Sequence, residues 1–465
     1  MYKASALIFF NRLFITLGIV VTTYLFAHYL PKEQYGVYQN FWTQFNTLFA
    51  ISGLGIASYI FSYSPEKIIQ IIKNLTPSKL LFLFGLIVLS ALIFGGMQQR
   101  VGVNWIAAGC FLVLNSLSLI SDSFLILFRR FKIMLLINFI YFLGFIAIHY
   151  YWLQNYSNQF ELLVLMLTVL SLLKVLASII VMKESIQIVH QEAINQQRAL
   201  RLWTHLFIFD LIQIFFSYSD KFIISLIAPA TTSAVYINGT YPIPFIPIIF
   251  SAVSSAALLQ FNDENESKES IVKILNRSGI ALSTVVFPVF FFFVFFRNEF
   301  IVFYFSDKYF ESVPIFLMSL LMLPFRAFNF TILFRKKEKG KIINLGALVD
   351  IVSLLILVGP CYYFLGLKGI PLSFVVATLI QAIFYMSHHQ KILESRWYQI
   401  LPLKDWLKKI LVFGLVAFVL NKLLIDVLQW TPFIALLVAF VVMACIAFLF
   451  LSREINLKSR LKKYH

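Results

Sequence analysis

With 465 residues, 60% of them hydrophobic and only 13% charged, the chain cannot be a water-soluble globule, whose surface has to be wetted. A mean hydropathy of +0.86 makes lipid the solvent for most of its length. The formal charge of +17 does not point to nucleic acid, because the Lys and Arg residues sit in breaks between apolar runs, where they set membrane topology.

A bilayer core about 30 Å thick needs about 20 mostly apolar residues per crossing helix. Runs of that length recur from end to end and predict an all-α integral membrane protein of about fourteen spans. In chain order these are 7–30, 37–63, 80–97, 104–128, 133–153, 161–182, 204–228, 234–261, 274–296, 311–334, 342–365, 370–389, 407–428 and 431–451. The first run reaches Leu30 without a small-residue cleavage pattern, so it is expected to be both the first helix and the targeting signal. With the N-terminus inside, the inside segments hold most of the basic residues, from Lys3 and Arg12 through Arg335 to Lys341, Lys391 to Lys409, and the tail. The outside loops hold only Lys32, Arg100, Arg297, Lys308 and Lys368, so the positive-inside rule puts both termini in the cytoplasm.

Residues 183–203 carry Ile186, Val189, Ala193, Leu200 and Trp203 at near-helical spacing among Gln, Glu and Arg, which predicts an amphipathic interfacial linker helix. The basic tail after Leu451 is expected on anionic lipid. Cys110, Cys361 and Cys445 lie in apolar runs without CxxC or metal-ligand spacing, and are expected to be small buried hydrophobes. The phenylalanines from Phe290 to Phe296 are expected to face lipid or to pack. No GxxxxGK[ST] loop occurs, and no cofactor is expected.

The chain repeats itself. Pro31, five residues, then Val37-Tyr38 recurs as Pro229, five residues, then Val235-Tyr236, with Asn40 matching Asn238. Phe124 to Arg130 recurs as Phe330 to Lys336, with Asn138 matching Asn344, at nearly the same spacing. The repeat predicts a six-helix N-terminal lobe at 1–182, the linker at 183–203, a six-helix C-terminal lobe at 204–390, and helices 13–14 with a basic tail at 391–465. An even number of helices per copy gives a pseudo-twofold along the membrane normal, as in transporters that rock one bundle against another.

Three stretches carry a resemblance. They are Leu30-Pro-Lys-Glu-Gln-Tyr-Gly-Val-Tyr38, then Ser219-Asp-Lys-Phe-Ile-Ile224 with Pro229 to Tyr236, and Leu365-Gly-Leu-Lys-Gly-Ile-Pro-Leu-Ser-Phe-Val-Val-Ala-Thr378. The chain resembles the polysaccharide and O-antigen flippases of the multidrug/oligosaccharidyl-lipid/polysaccharide exporter superfamily. It departs from them in the bulky Pro371-Leu-Ser-Phe after the glycine turn. The resemblance implies a non-enzymatic flippase of the bacterial inner membrane that moves oligosaccharide on polyprenyl diphosphate. It also implies that helices 1, 2, 7 and 8 surround a cavity. The partners expected are this lipid-linked substrate, membrane lipid and other polysaccharide assembly proteins, without nucleic acid.

Ionisable groups inside spans are costly and are functional candidates. Arg12, in the first turns of helix 1, can bind a diphosphate bidentately, with snorkelling to the interface as the alternative. Arg326 and Lys174 lie deeper; either lines the cavity or pairs structurally with Asp350 or Asp122. Asp210 aligns with Arg12 in the repeat, which suggests a pair or a proton relay, and Asp220-Lys221 suggests a gate. Lys422 and Asp426 have the spacing of a local pair. Gln39, Asn40, Trp42, Gln44 and Asn46 on helix 2, with Asn238 and Tyr241 on helix 8, are candidate sugar contacts, the alternative being bonds between helices. Prolines 242, 244 and 247 are expected to break helix 8 against protein or a wet cavity.

The function expected is export of lipid-linked oligosaccharide by alternating access. The alternatives are a lipid II flippase, a drug or cation antiporter of the same superfamily, and, from another class, a membrane polymerase or acyltransferase. Helices 1 and 2 hold Arg12 and no acid, which opposes the antiporter; short outer loops oppose the enzymes.

Overall fold

A computed structural model describes residues 2–186, 195–243, 250, 253, 257, 267–337 and 339–461, and every regular element among them is a helix. Lipid offers the backbone no hydrogen bonds, and helices satisfy their own. The helices are α1 (Tyr2–Tyr29), α2 (Lys32–Ser52), α3 (Ile56–Tyr59), α4 (Pro65–Lys73), α5 (Pro77–Gln99), α6 (Trp105–Leu127), α7 (Phe131–Asn155), α8 (Phe160–Ile186), α9 (Gln196–Ile227) and α10 (Ala230–Gly239). They continue as α11 (Lys268–Phe295), α12 (Arg297–Phe305), α13 (Val313–Leu320), α14 (Ile332–Lys336), α15 (Gly340–Leu365), α16 (Gly369–Leu393), α17 (Trp397–Ile400), α18 (Leu403–Asn421) and α19 (Pro432–Leu461).

Among the described residues, ten helical stretches are long and apolar enough to cross a membrane, and Leu13–Tyr29 of α1 is a shorter apolar one. One of the ten, Gly340–Leu393, holds two helices, α15 and α16. The expected spans coincide with helix over most of the described residues, the tenth with breaks at 321–322 and 328–331 and the eighth over 234–239 with most of its remainder outside those described, so the all-α membrane architecture stands. α2 falls short of the hydropathy of a lipid-facing span because it carries Gln39, Asn40, Gln44 and Asn46 and is enclosed by protein.

Caps and prolines fix where helices begin. The side chain of Asn104 accepts from Ile106 N at 2.9 Å at the start of α6, and Asn195 accepts from Arg198 N at 3.1 Å at the start of α9. Pro65 and Pro77 occupy the first turns of α4 and α5, where a missing N–H costs nothing. The repeat recurs in the secondary structure. Pro31 and Pro229 precede α2 and α10, while the matched stretches 124–130 and 330–336 lead out of helix into α7 and α15.

The chain divides into two units, Met1–Ala234 and Val235–His465. In the first, α6 packs on α5 and α8, α1 on α7, and α9 lies along α2 and α3. The division thus falls later than the expected boundary at 204, because α9 packs within the first unit. Residues 196–203, expected in the linker, are the opening turns of α9, with Ala199 and Trp203 buried against Tyr59, Ile68 and Ile71. The rest of the linker, 187–194, lies outside the described residues.

In the second unit α11 is central, with half of its apolar window buried, and it packs against α18 and α19. Helices 13 and 14 of the sequence are therefore integral to this unit. α15 and α16 form the closest helix pair: a Cβ on Gly369 would stand 1.9 Å from Cys361 O. Here Gly369 itself provides the close approach, although the bulky Pro371-Leu-Ser-Phe stands where the resembled family has small residues, and Pro371 is buried in the first helical turn. Phe290 to Phe296 mostly pack, with Phe292 and Phe296 in the core. The cysteines depart from expectation. Cys110 and Cys445 are exposed on apolar helices, facing lipid, because a lipid-facing surface accepts small apolar side chains as readily as a core does.

Candidate functional site

In the first unit the polar residues of α2 are drawn into contacts between helices. Gln98 on α5 donates to Gln44 Oε1 at 2.6 Å, and Gln44 Nε2 donates to Ser225 Oγ on α9 at 3.2 Å. A relay of amides thus ties α5, α2 and α9. Near the start of α2, a Cβ on Gly36 would meet Ala230 O at 2.0 Å, so only glycine lets α2 approach the chain after α9 this closely. Gln39 donates to the hydroxyl of Tyr35, one turn back on the same helix. Trp42 sits among Tyr38, Phe41, Phe45, Phe111 and Phe145. Asn46 is half-buried. Asn40 Oδ1 is buried and has no hydrogen-bond partner among the described residues. Gln44 and Gln39 therefore take the alternative left open by the sequence, bonding within the protein; Asn40 keeps an acceptor to offer.

Lys174, a candidate for the diphosphate, takes the structural alternative the sequence left open: its ammonium is 2.9 Å from Asp122 Oδ2, with both side chains largely buried. A charge already neutralised at that distance is not available to a substrate anion. Asp220 and Lys221 are adjacent on α9 and meet at 3.5 Å, while Lys221 also donates to Ser217 O at 3.4 Å. Asp210 lies half-buried on the same helix. Arg12 is on α1, and its side chain lies outside those described.

In the second unit Asn238 is fully buried near the end of α10. The helix stops at Gly239 and the backbone is irregular over residues 241–243, where the break at Pro242 was expected; Pro244 and Pro247 lie outside the described residues. The Tyr241 hydroxyl is 2.9 Å from that of Tyr304, and its ring packs on Phe305. Arg326 is exposed, with its guanidinium 5.5 Å over the Phe250 ring. No ion pair joins it to Asp350 among the described residues, and Asp350 is 6% exposed with Oδ1 unbonded. Arg326 is thus without a direct ion pair among the described residues where Lys174 has one, although the charges of Arg326 and Asp350 act on each other. Lys422 and Asp426 pair at 2.7 Å, as their spacing predicted. A cavity of about 480 Å³ lined by Arg297, Phe310, Glu311, Val313, Pro314 and Leu317 includes none of these candidates in its lining.

Sequence reasoning missed three groups. His149 is fully buried, 3.3 Å from the Tyr38 hydroxyl, which in turn stands 3.4 Å from Thr22 Oγ1; this joins α7, α2 and α1. Its place as an ionisable side chain inside the fifth span was the available signal. Lys409, counted among the inside charges, is fully buried on α18. It lies 2.7 Å from Asp405 and donates to Ile280 O, Ser283 Oγ and Thr284 Oγ1 of α11. Its spacing from Asp405 was the available signal. Trp203, seen only as part of an apolar face, donates to Leu54 O at 2.8 Å and stacks on Tyr59.

No family model matches the chain, and no curated protein does. Among solved structures, the chain is similar to a lipid II flippase, MurJ, in an inward closed conformation. The TM-score is 0.67 at 18% identity, covering 98% of this chain and 99% of that one. It is similar also to an inward-facing multidrug resistance MATE transporter of the MOP superfamily, with a TM-score of 0.51, 13% identity and coverage of 82% and 94%. A MATE protein in a bent conformation gives 0.51 at 12% identity, covering 84% and 94%. At these identities the likeness is one of fold.

Proposed function

We propose that the chain is a flippase of the bacterial inner membrane. Its cargo is oligosaccharide on polyprenyl diphosphate, the repeat unit of a surface polysaccharide, carried from the cytoplasmic to the outer leaflet by alternating access. The observation that carries this reading is the extent of the fold likeness. It spans the whole chain against a lipid flippase, while the multidrug transporters leave part of the chain unmatched. The absence of acids from the apolar lengths of α1 and α2 supports the same choice over a cation antiporter.

A sugar headgroup cannot cross hydrocarbon unaided, since each unbonded hydroxyl costs about 2–7 kcal/mol. In the proposed cycle the prenyl tail stays in lipid and the headgroup enters from the cytoplasm. Arg12 holds the diphosphate bidentately, Arg326 contributes the second cation, and Asn40 and Asn238 offer amides to the sugars. Asp210 pairs with Arg12 or relays a proton, and Asp220 with Lys221 acts at the gate. Expulsion gains about 2.3 kcal/mol per negative charge per 100 mV of inside-negative potential, so the potential alone can drive it.

A second reading, a lipid II flippase, is favoured by the likeness of 98% of the chain to a solved lipid II flippase. Reconstituted vesicles decide between them. The first reading expects lipid-linked oligosaccharide to flip and lipid II to flip slowly or not at all, and the reverse result selects the second. Arg12→Ala is expected to lower the rate at least about 10-fold, the worth of one charge-assisted contact. Unchanged flipping removes Arg12 from the mechanism. An Arg12→Asp, Asp210→Arg exchange that restores none of the transport lost in the single variants removes the pair.

A further inference from the structure

The ion pair at Lys174 belongs to a polar cluster within the first unit, built from three helices. Asp122 comes from α6, Asn138 and Tyr141 from α7, and Ser171 and Lys174 from α8. Asp122 Oδ2 holds the lysine at 2.9 Å, and Asn138 Nδ2 donates to Oδ1 at 3.3 Å. The ammonium also stands 5.0 Å over the Tyr141 ring. Tyr141 OH is 3.5 Å from Ser171 Oγ, which accepts from Asn115 at 3.2 Å. Asn138 is 2% exposed, yet its Oδ1 has no hydrogen-bond partner among the described residues. The cluster therefore contains one carboxylate, an asparagine that turns its amide nitrogen to that carboxylate and leaves its oxygen unpartnered, and one positive charge supplied by the chain itself.

A carboxylate at this depth has to be neutralised by a proton, a metal ion or an ammonium group. Replacing a buried pair with apolar residues of similar volume is often neutral for stability, so folding alone gives no reason to keep the pair. We propose that Lys174 is a tethered counter-ion occupying the place of an exchangeable monovalent cation. Asp122 forms a latent cation site that the lysine keeps filled, and Asn138, whose Nδ2 donates to Asp122 Oδ1, carries an amide oxygen without a partner among the described residues. The first unit can then move with its charge balanced from within, and needs no ion at this place. Once the ammonium is removed, the site takes Na+ or a proton from solution. Tyr141 on α7 is the further titratable side chain shown against the pair, and α6 and α8 contribute Asp122 and Lys174 themselves.

The test needs no transport assay, so its failure is distinct from failure of the flippase reading. The full chain in detergent is melted in NaCl and in choline chloride at equal ionic strength, and across pH 8 to 5. Wild type is expected to respond to neither cation. Lys174→Met is expected to gain a few degrees with Na+ or on acidification, as a site-filling ligand stabilises only the folded state. A response to Na+ at constant pH identifies a metal-cation site, and a response to acid alone identifies a proton site. The double variant Asp122→Asn, Lys174→Met is expected to fold and to respond no more than wild type. The proposal is overturned if the single variant is indifferent to both, or if the double variant responds as the single does. It is also overturned if the double variant does not fold, or if the single variant stays unfolded in Na+ and in acid while the double folds.

Discussion

Removing Lys409 isolates the contribution of one buried charge to the attachment of α18. The ammonium is fully buried and reaches Asp405 Oδ2 at 2.7 Å, Ile280 O at 2.8 Å, Ser283 Oγ at 3.2 Å and Thr284 Oγ1 at 2.5 Å. In Lys409→Met the two hydroxyls keep a partner, since Ser283 and Thr284 already donate to Ile280 O at 2.8 and 2.9 Å. The loss therefore falls on Asp405, left without its cation. Breaking a buried pair from one side costs about 3–5 kcal/mol, and the 26% exposure of Asp405 argues for the lower end, about 3 kcal/mol. That corresponds to a melting temperature lower by about 3–6 °C for a chain of this size. Asp405→Asn, Lys409→Met should recover most of it, because no charge is then stranded. Thermal unfolding followed by tryptophan fluorescence on the three proteins measures the coupling. If the single lysine variant melts with the double variant, loss of Lys409 does not strand the Asp405 charge and the coupling is refuted.

Two further outcomes are expected. Trp203→Phe keeps an aromatic ring against Tyr59 but loses the bond to Leu54 O, at a cost of about 1–3 kcal/mol for the buried carbonyl; Trp203→Ala should cost about 3–5 kcal/mol. Equal melting of Trp203→Phe and wild type would refute the bond. Outside the membrane-spanning segments, burial and the charge of Asp426 push the Glu299 carboxyl up, against the opposing pull of its helix N-terminus and Arg297. Its folded form thus binds the proton more tightly than the unfolded chain does, so its contribution to stability falls as pH rises through that window. Glu299→Gln should then melt higher than wild type at pH 8 and lose that advantage on acidification; an advantage that does not vary with pH would refute the assignment.

The helices were legible because the cost of placing polar groups in hydrocarbon leaves few other sequences available, and so the expected spans coincide with helix over most of the described residues. The candidate site was legible only in its residue types. Lys174 and Asp122 are 52 positions apart, and what decides whether that lysine meets substrate or carboxylate is the packing of α6 on α8. The same holds for Gln44, whose amide is used up by Gln98 and Ser225 from two other helices. Lys409 misled in the opposite way. A lysine in the first turns of a span reads as an interfacial charge, and only the hydroxyls and carbonyl of α11 turn it into a buried one. A charge near a helix end thus takes its meaning from the neighbour it meets. In the first unit that neighbour is a carboxylate, and it removes a cation from the substrate's reach. In the second, Arg326 is left exposed beside an aromatic ring, attracted by Asp350 but making no direct ion pair with it among the described residues. If an anionic headgroup is recognised by charges deep within the chain, Arg326 is therefore the cation of the described residues on which its loss should be felt first, and Lys174 the one whose neutral replacement should leave headgroup binding intact.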